Sequence, residues 1–106
     1  MDYKASVKGN VLEIMVGSSV SAKNYEALQE AIIAEIEAAS PKHVVMNLGE
    51  TTYISSAGLR TFSTVNKVCK EAGATCEFTE ASPQTAQLFK LTGYASTLTI
   101  REKNAE

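Results

Sequence analysis

Alternating hydrophobic and polar residues open the chain. Every second residue is apolar in the segment 3–7, and the same alternation returns in the segment 12–16. A period of two is typical of β-strands that bury one face, and the Gly9-Asn10 pair between the segments favours a tight turn. The first part of the chain is therefore predicted to form a β-hairpin.

Three later segments space their apolar residues three or four positions apart, which is the pattern of helices with one buried face. The first is expected to stop at Ser40-Pro41 and the second at Gly73, because proline and glycine end helices. The third is shorter and lies between Ser82-Pro83 and Gly93. The apolar stripes of the three predicted helices are Leu28, Ile32 and Ile36, then Leu59, Phe62, Val65, Cys69 and Ala72, and then Leu88 and Phe89.

Strands are predicted between and after these helices. Residues 43–48, His-Val-Val-Met-Asn-Leu, are nearly all apolar, as expected for a central strand that is covered on both faces or flanked by parallel neighbours. Residues 75–79 and 98–100 are predicted to be strands as well. The order β-β-α-β-α-β-α-β predicts a single α/β domain over residues 1–106, with a mixed β-sheet, right-handed crossovers and packed helices.

A pair of serines follows the most apolar strand, within the segment 53–59, Tyr-Ile-Ser-Ser-Ala-Gly-Leu. The second helix begins here, so Ser55 or Ser56 can cap it by accepting hydrogen bonds from the free N–H groups of its first turn. The positive end of the helix dipole would also favour a phosphate on either hydroxyl. Capping is the commoner role of such a serine, but functional groups tend to lie at the carboxyl ends of strands in α/β sheets. The pair is therefore a candidate site.

Composition and charge exclude several classes of function. The chain has 106 residues, with 10 Lys and Arg against 12 Asp and Glu, and its formal net charge is −2. The two signs are interspersed along the chain, so neither a nucleic acid nor an anionic membrane is an expected partner. No segment resembles a signal peptide or a transmembrane helix, which favours a cytoplasmic location without membrane insertion.

The reactive side chains do not indicate an enzyme, a metal site or a cofactor. Cys69 and Cys76 do not form a C-x-x-C pair, and His43 is the only histidine of the sequence, so a zinc site lacks ligands. The two cysteines are interpreted as small buried hydrophobic residues, with a disulfide as the alternative that a reducing compartment disfavours. His43 is expected to be a surface or edge imidazole. The serine segment lacks the first glycine of a G-x-S-x-G elbow, so neither catalysis nor a small-molecule substrate is predicted.

Four segments together resemble the STAS domain of anti-sigma-factor antagonists. They are residues 43–48 (HVVMNL), 52–60 (TYISSAGLR), 71–78 (EAGATCEF) and 82–93 (SPQTAQLFKLTG), and the resemblance extends in register from the hairpin to the last strand. Members of that family carry a strand that ends in N-L or D-L, a loop that reads D-S-S-G-L or D-S-T-G-L, and a later S-P-x-x-x-x-L-F-x-x-x-G helix. The resemblance rests on the joint order and spacing of these motifs.

The resemblance implies a function in transcription regulation. In that family, the serine directly after the loop Asp is phosphorylated by a kinase that is also an anti-sigma factor. The unphosphorylated form binds this kinase and frees the sigma factor, and the phosphorylated form releases the kinase. The chain is thus expected to be a non-enzymatic anti-sigma-factor antagonist whose partner is a protein kinase. The alternative is an adaptor subunit of a lipid-transport or stress-signalling assembly that is not phosphorylated.

Aligned without gaps, the loop Asp of the family falls on Ser55 and the phosphoacceptor on Ser56. A second acid of the family, in a G-E-L-D motif of the first loop, falls on Ser21. Replacing two carboxylates by hydroxyls changes the local charge and is expected to slow phosphorylation. The partner-binding residues that the resemblance implies are Ser21, Ser55, Ser56, Ala57, Gly58 and Leu59, with Ser56 as the phosphoacceptor.

Overall fold

Residues 2–103 are described by the computed structural model, and they form two β-sheets, three α-helices and one short 3-10 helix. The strands are β1 Tyr3–Lys8, β2 Val11–Val16, β3 Ser19–Val20, β4 His43–Asn47, β5 Tyr53–Ile54, β6 Thr75–Ala81 and β7 Ile100–Glu102. The helices are α1 Tyr25–Ala39, α2 Ser56–Glu71 and α3 Pro83–Leu91, and the 3-10 helix spans Tyr94–Ser96.

The larger sheet is mixed, as predicted. Its strand order is β1-β2-β4-β6-β7; β1 is antiparallel to β2, and all other neighbours are parallel. The predicted hairpin is β1 and β2, and Gly9 at its turn has a φ of 60°, which glycine adopts without strain. Parallel strands flank β4 on both sides, which confirms one of the two alternatives for this strand.

The helices pack on one face of the larger sheet. Val44 and Met46 of β4 are fully buried on that face, whereas His43, Val45 and Asn47 on the opposite face are partly exposed. The alternative in which β4 is covered on both faces is therefore wrong. Val45 is apolar although it lies on the partly exposed face, since β-branched residues suit either face of a strand. It therefore made the run of apolar residues appear continuous.

An aromatic cluster joins α2, β6 and α3 in the core. The ring centroids of Phe62 and Phe78 are 5.1 Å apart, and Phe89 lies 6.2 Å from Phe62 and 6.3 Å from Phe78. All three side chains are fully buried, and tilted pairs at these separations stabilise each other beyond the burial of their area. The cluster anchors α2 on the sheet, and α2 begins with Ser56.

Two short strands, β3 and β5, are additional to the sequence prediction, and two predicted strands have different bounds, because β6 extends to Ala81 and β7 spans Ile100–Glu102. β3 and β5 have two residues each, which is too few to show an alternation of polarity. The last strand begins at Ile100 rather than at residue 98. The reason is a turn after the 3-10 helix, in which the N–H of Leu98 donates to the carbonyl of Tyr94 at 2.9 Å.

A carboxylate on the partly exposed face of the sheet contacts two basic residues. Glu77 of β6 accepts a hydrogen bond from Nε of Arg101 at 2.6 Å and lies 3.3 Å from Nε2 of His43. The hydrogen bond from Arg101 lowers the pKa of Glu77; burial opposes this, and the bond with His43 lowers the pKa further. His43 also contacts Thr75, and its partial exposure agrees with the predicted surface imidazole.

Replacing Glu77 by Gln is expected to reduce the free energy of unfolding at neutral pH by less than about 1 kcal/mol, because water screens the exposed Arg101. The pKa of Glu77 is lower in the folded chain than in the unfolded chain, so its carboxylate stabilises the fold above the unfolded value of about 4.3. That contribution is lost as the pH falls through the folded value. Urea unfolding of the wild type and of Glu77→Gln, at neutral pH and near about pH 3, measures this contribution. A difference in unfolding free energy between the two proteins that stays the same at acid pH would contradict it.

Candidate functional site

The small sheet brings two distant loops together. β3 pairs in parallel with β5, with Ser19 opposite Tyr53 and Val20 opposite Ile54. The N–H of Ser55 then donates to the carbonyl of Val20 at 2.8 Å. Ser21 and Ser55, the residues that follow the two strands, therefore lie at the same edge of this sheet.

The start of α2 gives the two serines different roles, which the sequence alone left open. Ser55 is the N-cap, with extended backbone, and its Oγ accepts a hydrogen bond from the N–H of Gly58 at 3.1 Å. Ser56 is the first residue of the helix and is exposed. Within residues 2–103, the Ser56 hydroxyl has no hydrogen-bond partner. The two roles are therefore separated, with the cap on Ser55 and a free hydroxyl on Ser56.

The loop that carries Ser21 is held by Asn24, a residue that the sequence analysis did not select. Oδ1 of Asn24 accepts from the N–H of Ser21 at 2.7 Å and from its hydroxyl at 3.3 Å. Nδ2 of Asn24 donates to the carbonyl of Ser19 at 2.9 Å. The signal for this role was the Ser-x-x-Asn spacing before a helix, since short polar side chains there bond to nearby backbone.

Gly58 allows α2 to lie directly against both strands of the small sheet. An added Cβ would lie 2.9 Å from Cγ2 of Ile54, 2.9 Å from Cγ1 of Val20 and 3.0 Å from the carbonyl oxygen of Val20. Real Cβ atoms essentially never come as close as 2.9 Å to another atom, and the contact with the carbonyl oxygen would also be tight, so a larger residue would require the helix or the strands to shift. The close packing at Gly58 thus fixes the position of Ser56 relative to Ser21.

The predicted partner-binding residues divide by exposure. Ser56 is exposed, and Ser21 and Ser55 are partly exposed. Ala57, Gly58 and Leu59 are buried; Leu59 has 4% of its surface exposed and belongs to the core. These three remain predicted partner-binding residues, and their burial indicates that they shape the surface more than they offer side chains to it.

Tyr53 adds an aromatic side chain to the same surface. It is 57% exposed and lies on β5, two residues before Ser55. Large exposed aromatic residues are enriched at protein interfaces, where they supply contact area at low entropic cost. The pairing of β5 with β3, which the sequence did not predict, places Tyr53 opposite Ser19, two residues before Ser21.

A pair of alanine variants tests the assignment of the cap. Ser55→Ala is expected to cost about 1 kcal/mol, or roughly 4–8 °C in Tm, because the N–H of Gly58 loses its acceptor. Ser56→Ala is the matched control and is expected to leave Tm within about 2 °C, because its hydroxyl bonds to nothing in the described structure. Thermal unfolding followed by circular dichroism measures both. A larger loss for Ser56→Ala would reverse the assignment.

The chain matches the family model of the STAS domain over residues 2–106. It belongs to the STAS domain family. The mixed sheet and three helices agree with this assignment, and the order of elements predicted from the sequence is the order of the main elements observed. Ser21, Ser55 and Ser56 thus lie in a STAS domain at the loop and helix start that the sequence motif indicated.

Relatives of this STAS domain include proteins described as anti-sigma factor antagonists. BtrV of Bordetella bronchiseptica, whose name describes it as a candidate anti-sigma factor antagonist, is 31% identical over 77 residues, which cover 73% of this chain and 66% of BtrV. The match thus spans just under two thirds of that relative.

Solved structures of anti-sigma factor antagonists share the fold. The antagonist from Mycobacterium paratuberculosis superposes with a TM-score of 0.81 at 21% identity, covering 93% of this chain and 83% of that chain. The antagonist SpoIIAA of Bacillus, in its unphosphorylated form, gives a TM-score of 0.77 at 11% identity, covering 92% and 86%. SpoIIAA has also been solved in its phosphorylated form.

The anti-sigma factor antagonists of this family are non-enzymatic regulators, in agreement with the prediction that this chain is not an enzyme. Among residues 2–103, no helix combines the length and the apolar character needed to cross a bilayer. The same part of the chain contains no cluster of three or more His, Cys, Asp or Glu side chains suited to a metal ion.

Proposed function

We propose that this STAS domain is an anti-sigma factor antagonist that acts in the cytoplasm and binds an anti-sigma factor with kinase activity. The observation that carries the proposal is the exposed Ser56 at the first position of α2, with a hydroxyl that the fold leaves unused. The neighbouring Ser55 hydroxyl is occupied by the N–H of Gly58. Ser56 is therefore the proposed phosphoacceptor.

The position of Ser56 suits a switch that changes binding without changing the fold. A phosphate adds about −1.5 to −2 charges and three acceptor oxygens. At the first turn of a helix, the free N–H groups and the helix dipole favour such an anion by roughly 0.3–1 kcal/mol. The folded domain therefore tolerates the modification, and its cost falls on a partner surface that must desolvate the charge.

The surface around Ser56 suits a docked protein. The described residues give it an exposed tyrosine, Tyr53, and three small hydroxyl side chains, those of Ser21, Ser55 and Ser56. None of these side chains carries a charge at neutral pH, and Arg60, exposed one turn after Ser56 on α2, adds a positive charge to the same surface. A partner surface complementary to the uncharged hydroxyl of Ser56 would meet a doubly charged group after phosphorylation, and such a mismatch at an interface costs several kcal/mol.

The two missing carboxylates bear on the rate of phosphorylation. Ser21 and Ser55 occupy the positions where the motifs of anti-sigma factor antagonists usually have acids. The pairing of β3 with β5 places these two positions side by side. Carboxylates near an acceptor hydroxyl can orient it or organise Mg²⁺ in a kinase complex. This chain offers hydroxyls there instead, so we expect slow phosphorylation of Ser56.

Ser55→Asp is expected to raise the phosphorylation rate of Ser56 about tenfold or more, by returning a carboxylate next to the acceptor. Asp and Asn cap helices as well as Ser does, so both variants should stay folded. Ser55→Asn is the matched control, since it keeps the cap and adds no charge. Initial rates with the purified kinase, ATP and Mg²⁺ measure the effect, and equal rates for Asp and Asn would exclude a role for the charge.

The proposal is tested by capture and reconstitution. Wild type, Ser56→Ala and Ser56→Asp serve as baits in a lysate of the source cell, and the captured proteins are identified by mass spectrometry. The supporting result is an anti-sigma factor kinase that the first two baits retain and the third does not. The purified kinase with ATP and Mg²⁺ should then modify the wild type at Ser56, as peptide mapping will show.

Two results would contradict the proposal. Modification confined to Ser55, or none at all with the captured kinase, would remove Ser56 as the phosphoacceptor. Retention of the same partner by all three baits would favour the alternative, an adaptor subunit of a lipid-transport or stress-signalling assembly that is not controlled by phosphorylation.

A further inference from the structure

In the described part of the chain, the edge strand β1 has a neighbouring strand on one side only. Its six residues pair with β2 in a continuous register, from Tyr3 opposite Val16 to Lys8 opposite Val11. The other edge strand, β7, has three residues and an irregular register with β6. Short or irregular edges resist pairing with a further chain, whereas a longer regular edge permits it. The edge formed by β1 is therefore the one open to a further strand.

The hydrogen bonds of the hairpin show which backbone groups of β1 point away from β2. The N–H of Gly17 donates to the carbonyl of Asp2 at 2.7 Å, so the carbonyl of Asp2 points toward β2. Backbone groups of successive residues in a strand point to opposite sides, and therefore those of Tyr3, Ala5 and Val7 point outward. Over residues 2–103, no second strand lies beside these outward N–H and carbonyl groups.

A second copy of the chain fits this edge in an antiparallel arrangement. If a twofold axis passes through Ala5, this residue lies opposite its own copy, and Tyr3 lies opposite Val7 of the second copy. These are the residues whose backbone groups point outward, so every outward N–H and carbonyl of β1 finds a partner across the axis. The backbone of β1 is thus complementary to itself.

The charges along β1 select the same register. With the axis at Ala5, Lys8 lies opposite Asp2 of the second copy, and these two exposed side chains carry opposite charges. Lys4 lies opposite the uncharged Ser6. Moving the axis to Ser6 would place Lys4 opposite Lys8, and moving it to Lys4 would place that lysine opposite its own copy. Like charges directly opposite each other destabilise a pair of strands, so only the axis at Ala5 is favourable.

The same arrangement covers an exposed apolar side chain. Val7 is 55% exposed, and Ala5 is exposed as well, so α1 leaves the outer edge of β1 clear. The hydroxyl of Tyr3 donates to Oε2 of Glu35 in α1 at 2.9 Å, which holds the tyrosine ring on the helix side of the strand. Val7 of each copy would pack against the Tyr3 ring of the other, and aromatic and β-branched residues pair favourably across strands.

We propose that the chain forms a twofold homodimer through β1, with the two strands antiparallel and Ala5 on the axis, so that the two larger sheets join into one. The interface is small, so the dimer is expected to be reversible, with a dissociation constant of about 10–100 µM. None of the residues of this interface belongs to the candidate site around Ser56, so the dimer does not depend on the proposed function.

Exchanging the two charges tests the dimer. Asp2 and Lys8 lie about 20 Å apart along an extended strand, so they do not pair within one chain. Lys8→Glu and Asp2→Lys each place like charges opposite each other, and each is expected to raise the dissociation constant about tenfold or more. The double variant restores opposite charges, so its dissociation constant should return to within about threefold of the wild type. Sedimentation velocity at low ionic strength, from about 1 µM to about 1 mM, measures these constants.

Lys4→Glu is the matched control. It makes the same change of charge as Lys8→Glu on the same strand but lies opposite Ser6, so its dissociation constant should stay within about threefold of the wild type. All of these positions are exposed, and melting curves check that the variants are folded. The proposal is overturned if the wild type stays monomeric to about 1 mM. It is also overturned if the double variant dimerises no more tightly than the single variants, or if Lys4→Glu weakens the dimer as much as Lys8→Glu.

Discussion

Replacing Ser56 by Asp is expected to weaken binding of the anti-sigma factor by about a hundredfold or more while leaving the fold intact. A carboxylate at the first position of α2 is favourable for the helix, since it faces the free N–H groups and the positive end of the dipole. The same carboxylate would be buried against a partner built for a neutral hydroxyl. Loss of affinity without loss of stability is therefore the expected signature of this surface.

Titration calorimetry with the captured kinase, alongside melting curves, measures both quantities. Ser6→Asp is the matched control, because it adds the same charge on β1, an edge strand of the larger sheet. Ser56→Ala should bind like the wild type and should resist release when ATP is added. Unchanged affinity of folded Ser56→Asp would mean that the surface around Ser56 does not contact the partner.

Replacing Leu59 by Ala is expected to reduce the free energy of unfolding by about 2–5 kcal/mol. Leu59 has 4% of its surface exposed and belongs to the hydrophobic core under α2, so truncation removes buried contacts and leaves a cavity. A small domain has only about 5–15 kcal/mol of stability, so this loss is a large fraction of the total. It is the largest effect on stability that we expect at the candidate site.

Arg60→Ala is the control for this effect, since Arg60 is the next residue of the same helix and is exposed. It is expected to change stability by less than about 0.5 kcal/mol. Urea unfolding of both variants gives the free energies, and binding is compared at a temperature where both are folded. A Leu59→Ala variant that unfolds at the same urea concentration as the wild type would contradict the expected loss of stability.

The two predictions separate residues that the sequence motif groups together. Ser56 and Leu59 belong to the same short segment, but the helix directs one side chain to solvent and the other to the core. Gly58 lies between them and contacts β3 and β5 so closely that no side chain fits. If this surface binds the proposed partner, the hydroxyl groups and Tyr53 are the side chains it offers, while the buried residues keep that surface in place.

Local patterns in the sequence were sufficient to predict most of the fold. The period of two in the hairpin and the period of three or four in α2 depend only on residues near each other in the chain, so they are visible without the structure. The same holds for Pro83 at the start of α3 and for the motif that makes Ser56 a candidate phosphoacceptor. The candidate site was found because its motif is continuous along the chain.

Contacts between distant residues decided the rest. The pairing of Val20 with Ile54, which brings Ser21 next to Ser55, joins residues 34 positions apart and has no local signal. The same pairing is continued by the N–H of Ser55, the N-cap of α2, which donates to the carbonyl of Val20. The hydrophobic pattern determines which elements form, and only their packing determines which side chains meet.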